Sequence, residues 1–144
     1  MFWFDKEHPD ALYMDIREIE EEALQNGQKF KVSPDVVADF RDMPFEDESF
    51  SLVVFDPPHY VLTGNGAWLN KKYGALNKES WREDLRKGFA ECFRVLKQNG
   101  VLIFKWNEYE ISTKEVLALT DQKPLFGHKS GKQMKTHCIT FMKL

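Results

Sequence analysis

The apolar run Ser51-Leu52-Val53-Val54-Phe55, followed at once by Asp56-Pro57-Pro58, constrains the fold of this chain more than any other stretch. Five such residues in a row read as a buried strand. A proline has no N–H to give to a sheet ladder, and two in succession end it. The strand must therefore stop at Asp56. Pro57, Pro58, His59 and Tyr60 then lie in a stiff, extended loop at its carboxyl end. An ordinary strand end closed by prolines has the same local pattern, so the surroundings must decide what the corner is for.

A length of 144 residues suggests one domain over 1–144. A chain of that size buries roughly 68–70% of its unfolded surface, enough for a core. With 42% hydrophobic and 30% charged residues, it is globular rather than disordered. Cys92 and Cys138 lie far apart and form neither a metal spacing nor a disulfide framework. A reducing, cytoplasmic setting is expected. No apolar run approaches the ~18–20 residues of a membrane span. The start, MFWFDKEHPD, is not built as a signal peptide.

Charge is unevenly spread. Residues 1–48 hold 14 acids against 5 bases, whereas residues 122–144 hold five lysines and no acid. The acidic third disfavours nucleic acid, and the basic tail suits phosphates. Solvated surface is the plainer reading of each block, and by itself the preferred one.

Ala11–Met14 reads as a short strand ending in Asp15. Ile16, Ile19, Ala23 and Leu24 recur at helical spacing, with Gly27 as a stop. Val36–Ala38 is a second short strand, ending in Asp39. A loop from about 59 to 79 carries Trp68, Lys71, Lys72 and Tyr73. Ser80 and Glu83 fit a capping box. From there Trp81, Leu85, Phe89, Cys92, Phe93 and Leu96 make one apolar helical face, and the helix is expected to run to about Gln98. Val101–Phe104 is a strand and Thr113–Leu119 a short helix. Leu125-Phe126 and Cys138–Met142 read as the last strands, with the basic loop GHKSGKQMK between them.

Mostly alternating elements imply an α/β sheet with helices on both faces. Ligands of such sheets sit outside the carboxyl ends of the strands. Asp15, Asp39 and Asp56 each follow a strand there, which describes a polar rim.

Three stretches carry a resemblance: YMDIRE, ADFRDMPFEDESFSLVVFDPP and FRVLKQNGVLIFKW. They resemble the second strand, the approach to the fourth strand, and the approach to the fifth strand of class I S-adenosylmethionine-dependent methyltransferases. Together they span about residues 12 to 106. In the second stretch Ser51 stands where an aspartate is usual, and in the third Gln98-Asn99-Gly100 forms the turn. The resemblance implies a Rossmann-like three-layer sandwich. Its sheet is expected to be mostly parallel, with a C-terminal antiparallel strand pair.

The resemblance also implies site residues. Asp15 would hold the cofactor ribose, with Ile16 beside it. Asp39 would accept from the adenine amine, and Phe40 would pack on the ring. Asp56 would reach both the cofactor and the acceptor. A helix N-cap and a turn residue are the plainer roles for Asp15 and Asp39. Asp56-Pro57-Pro58-His59 resembles the Asp/Asn/Ser-Pro-Pro-aromatic motif of amino-methyltransferases. There the carboxylate and the first proline's carbonyl accept from the target amine, the prolines fix both acceptors, and the aromatic ring stacks on a flipped base. Here His59 replaces the usual tyrosine or phenylalanine, and Tyr60 follows. Loop residues without substrate contact fit the same positions.

The family's first strand and glycine-rich turn have no counterpart before Asp15, since the first glycine is Gly27. A truncated chain is expected on that ground, with weakened cofactor affinity and self-association through exposed sheet edges. Two functions follow from these residues. One is a methyltransferase acting on adenine N6 or cytosine N4, with DNA ahead of RNA, no membrane and no metal. The other is a catalytically inactive methyltransferase fold serving as an interaction module. A methyltransferase for RNA or a small molecule is a variant of the first.

Overall fold

The computed structural model describes residues 3–24, 26–61 and 73–144. The chain divides into two compact units, Met1–Phe40 and Arg41–Leu144.

The first unit holds β1 (Met14–Asp15), β2 (Ile19–Ala23), β3 (Lys29–Val32) and β4 (Val36–Val37). β1 and β4 pair in parallel, with Asp15 opposite Val37. The helix expected from Ile16 to Leu24 is instead an antiparallel hairpin of β2 and β3. A helix would stack Glu18 on Glu22 one turn apart, two like charges at a repulsive spacing. The turn decides the rest. Asn26-Gly27 is a hairpin signal, because glycine takes positive φ without a Cβ penalty. Gly27 has φ +80. Its N–H donates to Leu24 O at 2.9 Å, and Leu24 N–H donates to Gln28 O at 2.8 Å. Lys29 and Glu21 then close an ion pair at 2.9 Å across the strands.

The second unit holds β5 (Phe50–Phe55), α1 (Trp81–Val95), β6 (Leu96–Asn107), α2 (Thr113–Leu117), β7 (Phe126–Ser130) and β8 (Thr136–Met142) among the described residues. Its sheet runs in the order β5-β6-β8-β7. Only the β5–β6 pairing is parallel; β6–β8 and β8–β7 are antiparallel. This sheet is therefore mixed rather than mostly parallel, and the expected antiparallel closing pair is present.

Alternation in β6 builds the core. Leu102, Phe104 and Trp106 are buried, while Val101, Ile103 and Lys105 between them are half-buried. The expected face of α1 is buried too: Trp81, Leu85, Phe89, Cys92 and Phe93. Phe89 lies 4.9 Å from Phe104 and 5.6 Å from Phe55, ring centre to ring centre. Burial pushes the Cys92 thiol well above its ordinary value, so it packs as a small apolar group.

Helix α1 ends at Val95, three residues before the expected Gln98, because Leu96 already has extended backbone with ψ 135. The bulge after it places Phe50 opposite Leu96 and Leu52 opposite Val101. Asn99 takes φ 64 within it. The expected capping box at Ser80 does not form. Ser80 Oγ donates to Asp84 Oδ2 at 2.7 Å, and Asn77 O takes the Trp81 N–H at 2.9 Å. A capping box forms instead at Ser112 and Glu115, at the start of α2. Residues 127–130, expected as loop, continue the expected strand at Phe126 and belong to β7.

Arg94 locks the turn that leads into β5. Its guanidinium donates to Met43 O, Phe45 O, Asp47 and both oxygens of Glu91 at 2.7–3.0 Å. Glu91 Oε2 in turn accepts from Met43 N–H at 2.7 Å.

Candidate functional site

The proline corner forms as the sequence requires. β5 ends at Phe55, and Asp56 to Val61 follow without regular structure. Phe55 stands opposite Phe104 in the parallel register. The next residues on each strand, Asp56 and Lys105, point away from the core and meet as an ion pair with Nζ 2.9 Å from Oδ2. Pro57 is buried and Pro58 half-buried.

The rings beyond the prolines pack on one another. His59 stacks obliquely on Tyr60 with centroids 4.3 Å apart, and meets the Trp106 ring edge-on at 6.2 Å. Tyr60 reaches Tyr109 at 6.4 Å. The loop is pinned by main chain: Leu76 N–H donates to Tyr60 O at 2.8 Å, and Val61 N–H donates to Glu110 Oε2 at 2.6 Å. Trp106 is fixed by its indole N–H, which donates to Ile111 O at 2.9 Å. Burial pushes His59 below its ordinary 6.5, against the pull of the Asp56 charge. Burial and the Glu110 charge push the Tyr60 hydroxyl up. His59 is therefore a neutral ring at pH 7.

In the first unit, Asp15 and Asp39 leave the same end of the parallel β1–β4 pair, where Ala38 N–H donates to Asp15 O at 3.1 Å. Asp15 is clasped by Arg17: Nε on Oδ1 and Nη2 on Oδ2, both at 3.0 Å, with the Arg17 N–H on Oδ1 at 2.9 Å. A carboxylate has about four lone-pair positions. Three are in use, so Asp15 can take two further donors only if the Arg17 side chain swings aside. Ile16 is 61% exposed, and Asp39 and Phe40 are half-buried. Asp15 and Asp39 are thus the carboxylates at these strand ends, and Asp15 is engaged by its own neighbour Arg17.

Lys105, Trp106, Tyr109 and Glu110 surround the corner, and the sequence reading gave none of them a role. All lie at or just beyond the end of β6. The signal was the alternation Phe104-Lys105-Trp106, which puts one charge opposite Asp56 and one ring under His59. Trp68, Lys71 and Lys72 lie outside the described residues. Among the described residues no cluster of His, Cys, Asp or Glu is placed to hold a metal, and no helix is long and apolar enough to cross a membrane.

No family model matches the chain, and no curated protein matches it. Solved structures do. The PH0226 protein of Pyrococcus horikoshii aligns at 18% identity with a TM-score of 0.52, over 76% of this chain. TTHA0409 of Thermus thermophilus, a candidate DNA modification methylase complexed with S-adenosyl-L-methionine, aligns at 17% identity and 0.52, over 73% of this chain. The chain shares their fold. It spans 58% and 53% of the length of those two proteins.

Proposed function

We propose that this chain is an S-adenosylmethionine-dependent methyltransferase whose acceptor is an exocyclic amino nitrogen of a nucleic-acid base. The observation that carries the reading is the Asp56-Pro57-Pro58 corner, rigid and half-exposed at the carboxyl end of a parallel strand. A fold shared with a candidate DNA modification methylase solved with that cofactor supports it.

The roles follow from chemistry. The bound cofactor supplies an electrophilic methyl group on a sulfonium, an excellent leaving group. Alignment of the attacking nitrogen then carries much of the rate. Asp56 Oδ1, the oxygen Lys105 does not hold, accepts one N–H of the amine. The Pro57 carbonyl accepts the other, which turns the nitrogen lone pair toward the methyl group. The N–C bond forms as the C–S bond breaks, and the proton shed by the nitrogen passes to water. His59 and Tyr60 supply stacking faces. Asp15 and Asp39 are the cofactor carboxylates of the first unit, with Ile16 and Phe40 beside them. Self-association belongs to the same reading, because among the described residues β5 and β7 are the outer strands of their sheet; a single-chain mass by light scattering would remove that part.

The Arg17 clasp on Asp15 favours a second reading, an inactive methyltransferase fold that acts as an interaction module. Calorimetric titration with S-adenosylhomocysteine separates the two. The methyltransferase reading expects micromolar binding that Asp15→Ala abolishes and Arg17→Ala strengthens. Silence in all three proteins supports the module instead.

A further inference from the structure

The β7–β8 hairpin carries charge that the proposed site leaves unused. Lys129 lies on β7, Lys132 in the turn and Lys135 just before β8. Among the described residues none of the three has a carboxylate at ion-pair distance. The turn is built to project: Gly131 has φ +88 and accepts the Met134 N–H at 3.1 Å, leaving Lys132, Gln133 and Met134 exposed.

Two contact paths join this hairpin to the proline corner. Lys135 Nζ sits 5.0 Å above the Tyr109 ring, Tyr109 meets Tyr60, and Tyr60 stacks on His59. The Glu108 N–H donates to Lys135 O at 3.0 Å and ties the two segments. The second path follows the sheet register. Lys129 is opposite His137, and His137 is opposite Trp106, so the three share one face. Trp106 then meets the edge of His59. The nearest carboxylates are occupied: Glu108 by Thr113 and His137, Glu110 by the Val61 N–H.

Cations spaced along a projecting hairpin, leading into interleaved aromatic rings, match the chemistry of a single-stranded polynucleotide. The lysines meet phosphates, and the exposed Tyr109 ring, with Tyr60 beside it, offers a face that any base can stack on. We propose that the β7–β8 hairpin is the backbone-contacting element for a single-stranded stretch of nucleic acid. Lys129, Lys132 and Lys135 hold its phosphates, and Tyr109 with Tyr60 leads a base toward Asp56. The proposal deepens the methyltransferase reading by naming the element that grips the substrate strand. It rests on that reading for its purpose but not for its test.

The test is fluorescence anisotropy of a labelled 20-nucleotide single-stranded DNA with the full chain and no cofactor, across a salt series. The triple variant K129A/K132A/K135A should bind at least ten-fold more weakly at low salt. Each phosphate contact on a single strand contributes about 0.7 to the slope of log affinity against log salt. Losing three should flatten that slope by about 2. Tyr109→Ala should weaken binding five-fold or more and leave the slope unchanged. The charge-matched control K78A/K87A/K114A should stay within two-fold of the unaltered chain. The single tip variant Lys132→Glu repeats the test should the triple variant melt early. Equal losses in variant and control, an unchanged triple variant, or equal binding to polyglutamate would each overturn the proposal. Because cofactor is absent, such a result leaves the S-adenosylhomocysteine titration to judge the methyltransferase reading separately.

Discussion

Asp56 Oδ2 and Lys105 Nζ lie 2.9 Å apart, joining the carboxyl ends of two parallel strands on the side away from the helix core. The register makes the contact unavoidable: once Phe55 and Phe104 face each other inward, the next residues face each other outward. The carboxylate is thereby turned along the sheet, with one oxygen committed to the lysine.

That pair orients more than it stabilises. Its side chains are 43% and 29% exposed, and pairs so wet contribute about 0–1 kcal/mol. Lys105→Met should cost less than about 1 kcal/mol in urea denaturation. Under the proposed methyltransferase reading, the same variant should nevertheless depress methyl transfer, because Asp56 loses its lysine partner. A melting loss several times larger would make Lys105 a structural residue and remove its positioning role.

Arg94 is the opposite case. Its guanidinium satisfies two carbonyls and two carboxylates, and it holds the Glu91 carboxyl below its ordinary value through their hydrogen bonds. Hydrogen bonds to charged groups are each worth roughly 1.5–3 kcal/mol, less where water competes. Arg94→Ala should cost about 2–3 kcal/mol, because Met43 O and Phe45 O lose their donor. Arg94→Lys should recover only part of this, since an ammonium cannot span the fork. A cost near zero in denaturant midpoints would show that the Met43–Phe45 turn holds itself.

Gly100 is required by space. A Cβ there would lie 2.8 Å from Lys97 O and 2.9 Å from Leu96 Cδ2, with Ser51 O at 3.2 Å. Two of these are backbone atoms held by the sheet. Gly100→Ala should destabilise by about 1–3 kcal/mol through overpacking. Gly27→Ala meets nothing within 4 Å and should cost only the left-handed backbone, about 1–2 kcal/mol. Thermal melts of both variants compare the two causes, and equal stability of G100A and the parent chain would show that the bulge relaxes.

The second unit was largely legible in the sequence because its signals are local and strong. Prolines end β5, a three-to-four spacing marks α1, and the continuous apolar run Val101–Phe104 marks the middle of β6. The first unit misled where Ile16, Ile19, Ala23 and Leu24 imitate helical spacing, while Asn26-Gly27 carries the stronger hairpin signal. Caps were exchanged for a similar reason. Ser80-x-x-Glu83 and Ser112-x-x-Glu115 look alike, but only the first has Asp84 next in line to capture the serine hydroxyl. At the site, Asp56 and the prolines were legible as a corner. Lys105, Trp106 and Tyr109 were not, since their roles depend on strand register, which no single segment reveals. The Arg17 clasp on Asp15 is not legible in the sequence, because an arginine two residues on reads as surface charge.

Acid should unfold this protein partly through Glu108. The His137 ring nitrogen lies 3.0 Å from Glu108 Oε1, close enough for a charge interaction although its N–H is not aimed at the oxygen. Thr113 adds its hydroxyl at 3.0 Å and its N–H at 3.4 Å to Oε2. His137 first, and Thr113 next, hold the Glu108 carboxyl down to about 2 from an ordinary 4.5. A folded-state value below the unfolded one means that the unfolded chain binds the proton more readily. The stabilisation is therefore complete above about 4.5 and drains away as pH falls toward about 2. Glu108→Gln removes it. Urea midpoints of the parent chain and the variant should differ most near neutral pH and converge as pH falls through that window. Glu91, lowered by Arg94, contributes to both acid limbs and cancels in the difference. A gap between parent and variant that stays constant from pH 7 to pH 2.5 would mean that Glu108 acts through packing, and that its contact with His137 carries no charge linkage.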